Sequence, residues 1–231
     1  MTKEDFLEGQ ILLIDKPLHW TSFQAVNKLK WAIRKQFDLG KKFKIGHAGT
    51  LDPLATGLLL ICTGKFTKKI PDLQGQKKEY TGTFTLGATT PSYDLETDVD
   101  AIFPTEHITE ELIRKTTRQF LGEIEQVPPI FSAVKKDGKR AYELARKGEE
   151  VKLKSRKISI YEFEITKIDM LDIHFRISCS KGTYIRSLAN DFGSALDSGA
   201  HLSSLRRTKI GDYSVDKSIG PELFKERLQH S

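Results

Sequence analysis

The 231-residue sequence predicts an α+β protein with a mixed, largely antiparallel central sheet and flanking helices. Three observations carry this expectation. Side chains alternate over residues 80–86 and 171–179 with the two-residue period of a half-buried strand. Residues 185–196 then change to a helical stripe of Ile185, Leu188, Ala189, Phe192, Ala195 and Leu196. Strands and helices mix along the chain without the strict βαβ alternation that builds a parallel sheet.

Taken in order, Ile11-Leu12-Leu13-Ile14 reads as a buried strand ended by a turn at Asp15-Lys16-Pro17. Thr21-Ser22 caps a helix whose apolar face is Phe23, Val26, Leu29 and Ile33. Residues 53–64 set Pro53, Gly57 and Gly64 around Leu58-Leu59-Leu60-Ile61, a run that suits helix and strand equally. In the strand at 80–86, Tyr80, Gly82, Phe84 and Leu86 share one side and Thr81, Thr83 and Thr85 the other. Thr109-Glu110-Glu111 opens a helix, with a cap and acids at its positive end, that runs to about Leu121. Residues 140–147 predict a short helix stopped by Gly148. In the strand at 171–179, Leu171, Ile173, Phe175, Ile177 and Cys179 share one face, and a one-residue slip would expose all five. No repeat or low-complexity linker divides the chain. One domain over residues 1–231 is expected, with a protruding insertion near 127–150.

Composition bounds the function. At 38% hydrophobic and 29% charged, the chain is an ordinary globular one and not a disordered one. It holds no apolar run long enough to span a bilayer. The opening Met-Thr-Lys-Glu-Asp places acids where an export or transit signal needs basic and apolar residues. Cys62 and Cys179 stand alone and far apart, which suits a reduced, cytoplasmic protein and no metal cluster. Thirty-seven Lys+Arg against 31 Asp+Glu leave a net charge of +6. That excess suits a nucleic-acid partner without requiring one. Its placement says more: Lys28, Lys30, Arg34, Lys35, Lys41, Lys42 and Lys44 are interleaved with Trp31, Phe37 and Phe43, and a second basic group over 135–147 surrounds Tyr142. Either cluster alone is an ordinary solvated face; together they favour contact with a phosphate backbone.

Several known chemistries find no support. Gly64-Lys65 resembles the end of a phosphate-binding loop, but Phe66 stands where a hydroxyl must reach magnesium, and Leu59 where the first glycine belongs. The chain has no G-x-G-x-x-G, H-E-x-x-H or G-x-S-x-G motif. One segment does stand out: Gly46-His47-Ala48-Gly49-Thr50-Leu51-Asp52-Pro53-Leu54-Ala55-Thr56-Gly57. Its glycines allow close backbone approach or positive φ, and Pro53 fixes the chain just after Asp52, so one carboxylate is held in a defined place. On its own such a segment is more often an ordinary Asp-Pro turn or cap with a satisfied loop histidine.

The same segment closely matches the signature of the TruB family of tRNA pseudouridine synthases. Leu13-Ile14-Asp15-Lys16-Pro17, Lys181-Gly182-Thr183-Tyr184-Ile185-Arg186 and Leu205-Arg206-Arg207 match in the same order, and residues 128–146 are also similar. The resemblance covers roughly residues 9 to 215. It implies a pseudouridine synthase fold with an RNA-gripping insertion, and conversion of uridine to pseudouridine at position 55 in the tRNA T-loop. The base would leave C1′, turn, and rejoin through C5, with the target nucleotide flipped from its stack. No cofactor and no metal are expected, because the reaction is an isomerisation.

Residue by residue, Asp52 matches the catalytic aspartate, able to attack C1′ or stabilise positive charge there. Tyr80 matches the tyrosine that stacks on the target base. Tyr184 and Arg186 match pocket residues that pair with the aspartate. His47 matches the residue that fills the space the uridine vacates, and Leu205 an apolar contact to the nucleoside. Asp94 is similar to an RNA-contacting aspartate, in surroundings looser than the family pattern. Many family members carry a C-terminal RNA-binding domain, and none is expected here, which shifts the backbone contact to the basic segments 28–44 and 135–147. The expected partner is the tRNA T-loop and elbow, with no membrane and no protein partner, for a cytoplasmic monomer. Two other readings stay open: an RNA-binding or tRNA-folding factor with dispensable catalysis, and a nucleoside hydrolase.

Overall fold

The structure is a computed structural model that describes residues 1–132, 135–136, 139–140 and 153–229. Along the chain it runs α1 (Lys3–Glu8), β1 (Ile11–Lys16), α2 (Ser22–Phe37), β2 (Ile45–His47), β3 (Ala55–Thr63), a 3-10 segment (Gly64–Lys69), α3 (Ile70–Gly75) and β4 (Lys78–Leu86). There follow β5 (Ala88–Thr89), β6 (Ala101–Ile102), α4 (Glu110–Thr116) with a 3-10 turn (Thr117–Phe120), and β7 (Gly122–Gln126). The remainder is β8 (Lys135–Lys136), β9 (Lys139–Arg140), β10 (Arg156–Asp169), β11 (Asp172–Cys179), α5 (Ile185–Ala195), β12 (Ala200–Ile210), β13 (Tyr213–Ser214) and α6 (Pro221–Gln229). The chain divides into two compact units, Met1–Tyr80 with Leu205–Ser231, and Thr81–Ser204. Most of the insertion expected near 127–150, and the helix expected at 140–147 beyond Arg140, lie outside the described residues. Among the described residues no helix is long and apolar enough to cross a membrane.

In the first unit β3 is the organising strand. It pairs antiparallel with β1 (Ile14↔Leu59) and with β2 (His47↔Ile61), and parallel with β12 through Leu205↔Ala55 and Arg207↔Gly57. Both faces of β3 are covered. Leu59 and Ile61 pack with α2 and α6, while Leu58, Leu60 and Cys62 pack with Leu73, Ile210 and Val215. A strand buried on both faces needs an unbroken apolar run, which is why 58–61 carries no alternation to separate strand from helix. Strand β1 continues through Asp15 and Lys16, past the turn expected there.

Helix α2 begins with a capping box: the Thr21 hydroxyl accepts from the Gln24 N–H, and the Gln24 side chain accepts from the Thr21 N–H. Its buried face is Ser22, Ala25, Val26, Leu29, Ala32 and Ile33. Phe23, expected on that face, is exposed. The small residues Ser22, Ala25 and Ala32 complete the buried stripe and rotate it off Phe23.

In the second unit the strands run in the order β12-β4-β11-β10-β7. Strand β11 pairs antiparallel with β10 (Phe163↔Ile177, Ile165↔Phe175), and β10 with β7 (Arg156↔Gln126). Phe84, Phe163, Phe175 and Phe192 form its aromatic centre, with Phe84 and Phe175 ring centroids 4.3 Å apart. Ile173, Phe175, Ile177 and Cys179 are buried as the alternation requires. Leu171 is not part of this face: it lies with Met170, at φ 54°, in the tight turn before β11, and is exposed. The α+β architecture expected from the sequence is present: the sheet is mostly antiparallel, and the β3–β12 pair is parallel.

Candidate active site

The segment carrying Asp52 joins β2 to β3 and is fixed at almost every residue. The Ala55 N–H donates to the Asp52 carbonyl at 3.1 Å, so Asp52 opens a turn with Pro53 at its second position, where the proline ring presets φ. Just before it, the Leu51 N–H donates to Ser22 Oγ at 2.8 Å, and the same hydroxyl donates to the Leu51 carbonyl at 3.1 Å. Just after it, the Pro53 carbonyl accepts from the His19 N–H at 2.8 Å. Gly57 has φ 101°, and a Cβ there would overlap the Arg207 backbone, so only glycine brings β3 against β12 at this point. Asp52 itself is half-buried and keeps access to solvent.

Two buried cations complete the support. Arg207, 1% exposed, donates from Nε to the Leu58 carbonyl (2.8 Å), from Nη2 to Gly49 (3.0 Å) and from Nη1 to Thr50 (3.4 Å). Lys16, fully buried, donates from Nζ to the carbonyls of Trp20 (2.6 Å), Pro17 (2.9 Å) and Pro53 (3.5 Å). Burial lowers the Lys16 pKa to about 8; Asp52 opposes that shift by attraction, Arg207 adds to it by repulsion, and Asp15 opposes it. A cation and the Asp52 carboxylate are therefore close enough to feel each other. Beside them Arg206 pairs with Asp15 through two contacts of 2.7 and 3.0 Å.

The other expected residues of this unit are placed as follows. His47 ends β2; burial and the Arg207 cation lower its pKa, and a hydrogen bond with the Gly49 backbone opposes that shift. Leu205 is half-buried in β12, opposite Ala55. Tyr80 lies in β4 and is 8% exposed.

Tyr184 and Arg186 belong to the second unit, at the start of α5. Gln126 clamps the Tyr184 backbone from both sides: its Oε1 accepts from the Tyr184 N–H (2.8 Å), and its Nε2 donates to the Tyr184 carbonyl (3.1 Å). Arg156, the register partner of Gln126, lies over the Tyr184 ring at 4.7 Å. Arg186 is buried, with Nε 3.5 Å from Asp94 Oδ2 and hydrogen bonds to the carbonyls of Ser92 and Phe131. A cation in the first turn of a helix meets the positive end of the dipole, and the Asp94 carboxylate offsets that. Asp94 is itself buried, and its Oδ1 accepts from Ser92 Oγ (2.6 Å) and the Glu96 N–H (2.9 Å). The carboxylate thus faces inward as an anchor, a role that the sequence reading did not assign to it.

Sequence reasoning gave no part in supporting the Asp52 loop to Lys16, Ser22 or Arg207, and none to Gln126. One signal was available. Arg206 and Arg207 are neighbours on a strand, so their side chains point to opposite faces and one of two adjacent cations must turn inward.

Comparisons with known proteins identify the family. Residues 34–185 match the TruB family pseudouridylate synthase N-terminal domain. The chain is 70% identical to a tRNA pseudouridine synthase B of Flavobacterium johnsoniae, over 99% of this chain and 100% of that one. It is 55% identical to the protein of the same name from Phocaeicola vulgatus, over 97% and 95% of the two chains. Among solved structures, a crystal structure of a Cbf5-Nop10-Gar1 complex contains a chain of 31% identity and TM-score 0.69; the match covers 94% of this chain and 53% of that one, so this chain spans about half its length. A carboxylate pinned in a Gly-Pro turn, in a sequence this similar along its length, places the chain in the TruB family of pseudouridylate synthases.

Proposed function

We propose that this isomerase converts uridine to pseudouridine at position 55 in the T-loop of tRNA, with Asp52 as the nucleophile. The observation that carries the reading is the state of Asp52: half-buried, at the head of a rigid turn, with its neighbours Leu51 and Pro53 each fixed by hydrogen bonds. Such a carboxylate is preorganised to meet a sugar carbon. Attack of Asp52 on C1′ forms a C–O bond as the C1′–N1 bond breaks and the electron pair leaves with the base. The base turns and C5 takes the place of N1, releasing the carboxylate. The C5 proton is lost and N1 gains one, so atoms balance and no electrons are exchanged with a second reactant.

Tyr80 is assigned to stacking on the base, Leu205 to the nucleoside, and Tyr184 and Arg186 to the pocket wall. His47 is assigned to the gap left in the RNA stack, where a neutral ring stacks without desolvating a charge. Its lowered pKa supports that assignment. The test is to incubate the protein with unmodified tRNA and map the modified uridines. Pseudouridine confined to the T-loop site, and lost in Asp52→Asn while tRNA binding persists, is the expected result. Product from Asp52→Asn would overturn the assignment, and release of free uracil would select a hydrolase.

A further inference from the structure

Five of the seven cations of the basic run at 28–44 separate into two groups in the structure. Lys28 pairs with Glu222 at 2.7 Å, Arg34 Nε donates to the Leu39 carbonyl at 3.1 Å, and Lys35 lies 5.1 Å from the Trp31 ring. These three serve the unit itself. Lys42 and Lys44 instead line, with Lys65 and Lys68, a cavity of about 460 Å³ whose apolar lining is the exposed Leu7 and the edges of Leu39 and Phe43. The cavity lies within the first unit, and none of its lining residues belongs to the 46–57 loop. It is held open by backbone bonds: the Gly64 N–H donates to the Lys44 carbonyl (2.9 Å), and the Phe43 N–H to Gly40 (3.1 Å). Gly64 sits at φ 51° with the carbonyls of Phe6 and Leu7 so close that no Cβ fits. Lys65 is paired with Glu8 at 2.8 Å, but among the described residues no ion pair engages Lys42, Lys44 or Lys68.

We propose that this cavity is a second RNA contact that takes one nucleotide of the substrate, the base against the apolar lining led by Leu7 and the flanking phosphates on Lys42, Lys44 and Lys68. The inference rests on the reading that the substrate is RNA and deepens it. Shape and charge select the occupant. A bare inorganic anion leaves the apolar lining unused, and the volume falls in the range of sites for small organic ligands. An uncharged apolar ligand leaves three ammonium groups facing it without counter-charge. A nucleotide satisfies both demands. The cations are lysines, which bind phosphate as point charges and not as bidentate forks, so the contact holds the backbone and does not read sequence. The Gly64-Lys65 pair, which fails as a phosphate-binding loop, contributes here through the wall of this cavity.

The test uses two changes. In Lys42→Ala/Lys44→Ala/Lys68→Ala, the slope of log affinity for unmodified tRNA against log salt should become shallower by about two, because each lost phosphate contact removes somewhat less than one unit. Separately, Gly40→Cys places a thiol where a Cβ meets nothing within 4 Å, while Cys62 and Cys179 are buried and slow to label. A benzophenone attached there should cross-link to tRNA, and excess unlabelled tRNA should suppress the adduct. An unchanged salt slope, a cross-link indifferent to excess tRNA, or one displaced by phosphatidylglycerol vesicles would overturn the inference. Pseudouridine formation by the unaltered protein is followed in parallel. Product with an unchanged slope removes this inference alone, whereas a shallower slope and a competed cross-link without product remove the catalytic reading and leave the binding site standing.

Discussion

Arg207 Nη2 donates to the Gly49 carbonyl at 3.0 Å, so a residue 158 positions further along the chain closes the loop that presents Asp52. The same guanidinium reaches Thr50 and Leu58, spanning both ends of the segment. The shape of the Asp52 loop is imposed by strand β12 from the side, not by the loop alone.

Arg207→Met should therefore destabilise the protein by about 3 kcal/mol, because the buried carbonyls lose their charged donor and no water replaces it. Arg207→Lys should recover part of this, keeping the charge but not the fork. Urea unfolding gives the ordering. The His47 imidazole should also titrate higher in Arg207→Met, since a cation that lowers its pKa is gone, and ring-proton NMR reads that directly.

The sequence made some of this legible and hid the rest for physical reasons. The Asp52 turn is local: Gly49, Pro53 and Gly57 restrict the backbone wherever they stand. The face of β11 from Ile173 to Cys179 is also local, set by a two-residue period. Strand β3 was ambiguous because a strand covered on both faces loses its alternation. Arg207 was hidden because a cation is buried only when carbonyls converge on it, and its carbonyls come from the distant residues Gly49, Thr50 and Leu58; Lys16 was hidden because the chain must turn back at 17–20 for the nearby Pro17 and Trp20 carbonyls to join the distant Pro53 carbonyl on its Nζ. Phe23 misled because size was taken as the mark of the buried face, whereas Ser22 is there for its hydroxyl.

Ser22→Ala tests that hydroxyl. It leaves the Leu51 N–H and carbonyl without their partner in a buried setting, at a cost of about 1–3 kcal/mol. Because Leu51 precedes Asp52, the loss should fall on kcat by about tenfold more than on KM for tRNA, a gap of about 1.4 kcal/mol in the transition state alone. Ser22→Thr keeps the oxygen and should restore kcat if its methyl is accommodated. Single-turnover kinetics separates the two constants.

Lys16 should set an alkaline limit. Its pKa is lowered to about 8, so the folded protein releases this proton before the unfolded chain does. Between about pH 8 and the ordinary lysine value the unfolded state binds more protons, and this group's contribution to stability rises with pH there. Activity should run the other way. Above pH 8 Asp52 loses its neighbouring positive charge, and kcat/KM should fall with one proton released. Lys16→Met should show a lower plateau without that limb. A limb unchanged in Lys16→Met would assign it to another group.

The Arg186–Asp94 pair should behave as a buried ion pair whose members are worth more together than apart. Removing either partner leaves the other charge enclosed, so Arg186→Met and Asp94→Leu should each cost about 3–5 kcal/mol. The double substitution should cost clearly less than the two combined, because it removes both charges at once. Asp94→Asn is the sharper probe. It keeps the acceptor for Ser92 Oγ and the Glu96 N–H while removing only the charge opposite Arg186. If Asp94→Asn matches the unaltered protein in urea, the other partners of Arg186, the Ser92 and Phe131 carbonyls among them, hold the guanidinium without the Asp94 charge; if it loses stability with Asp94→Leu, the carboxylate charge contributes to keeping a cation buried in the first turn of α5.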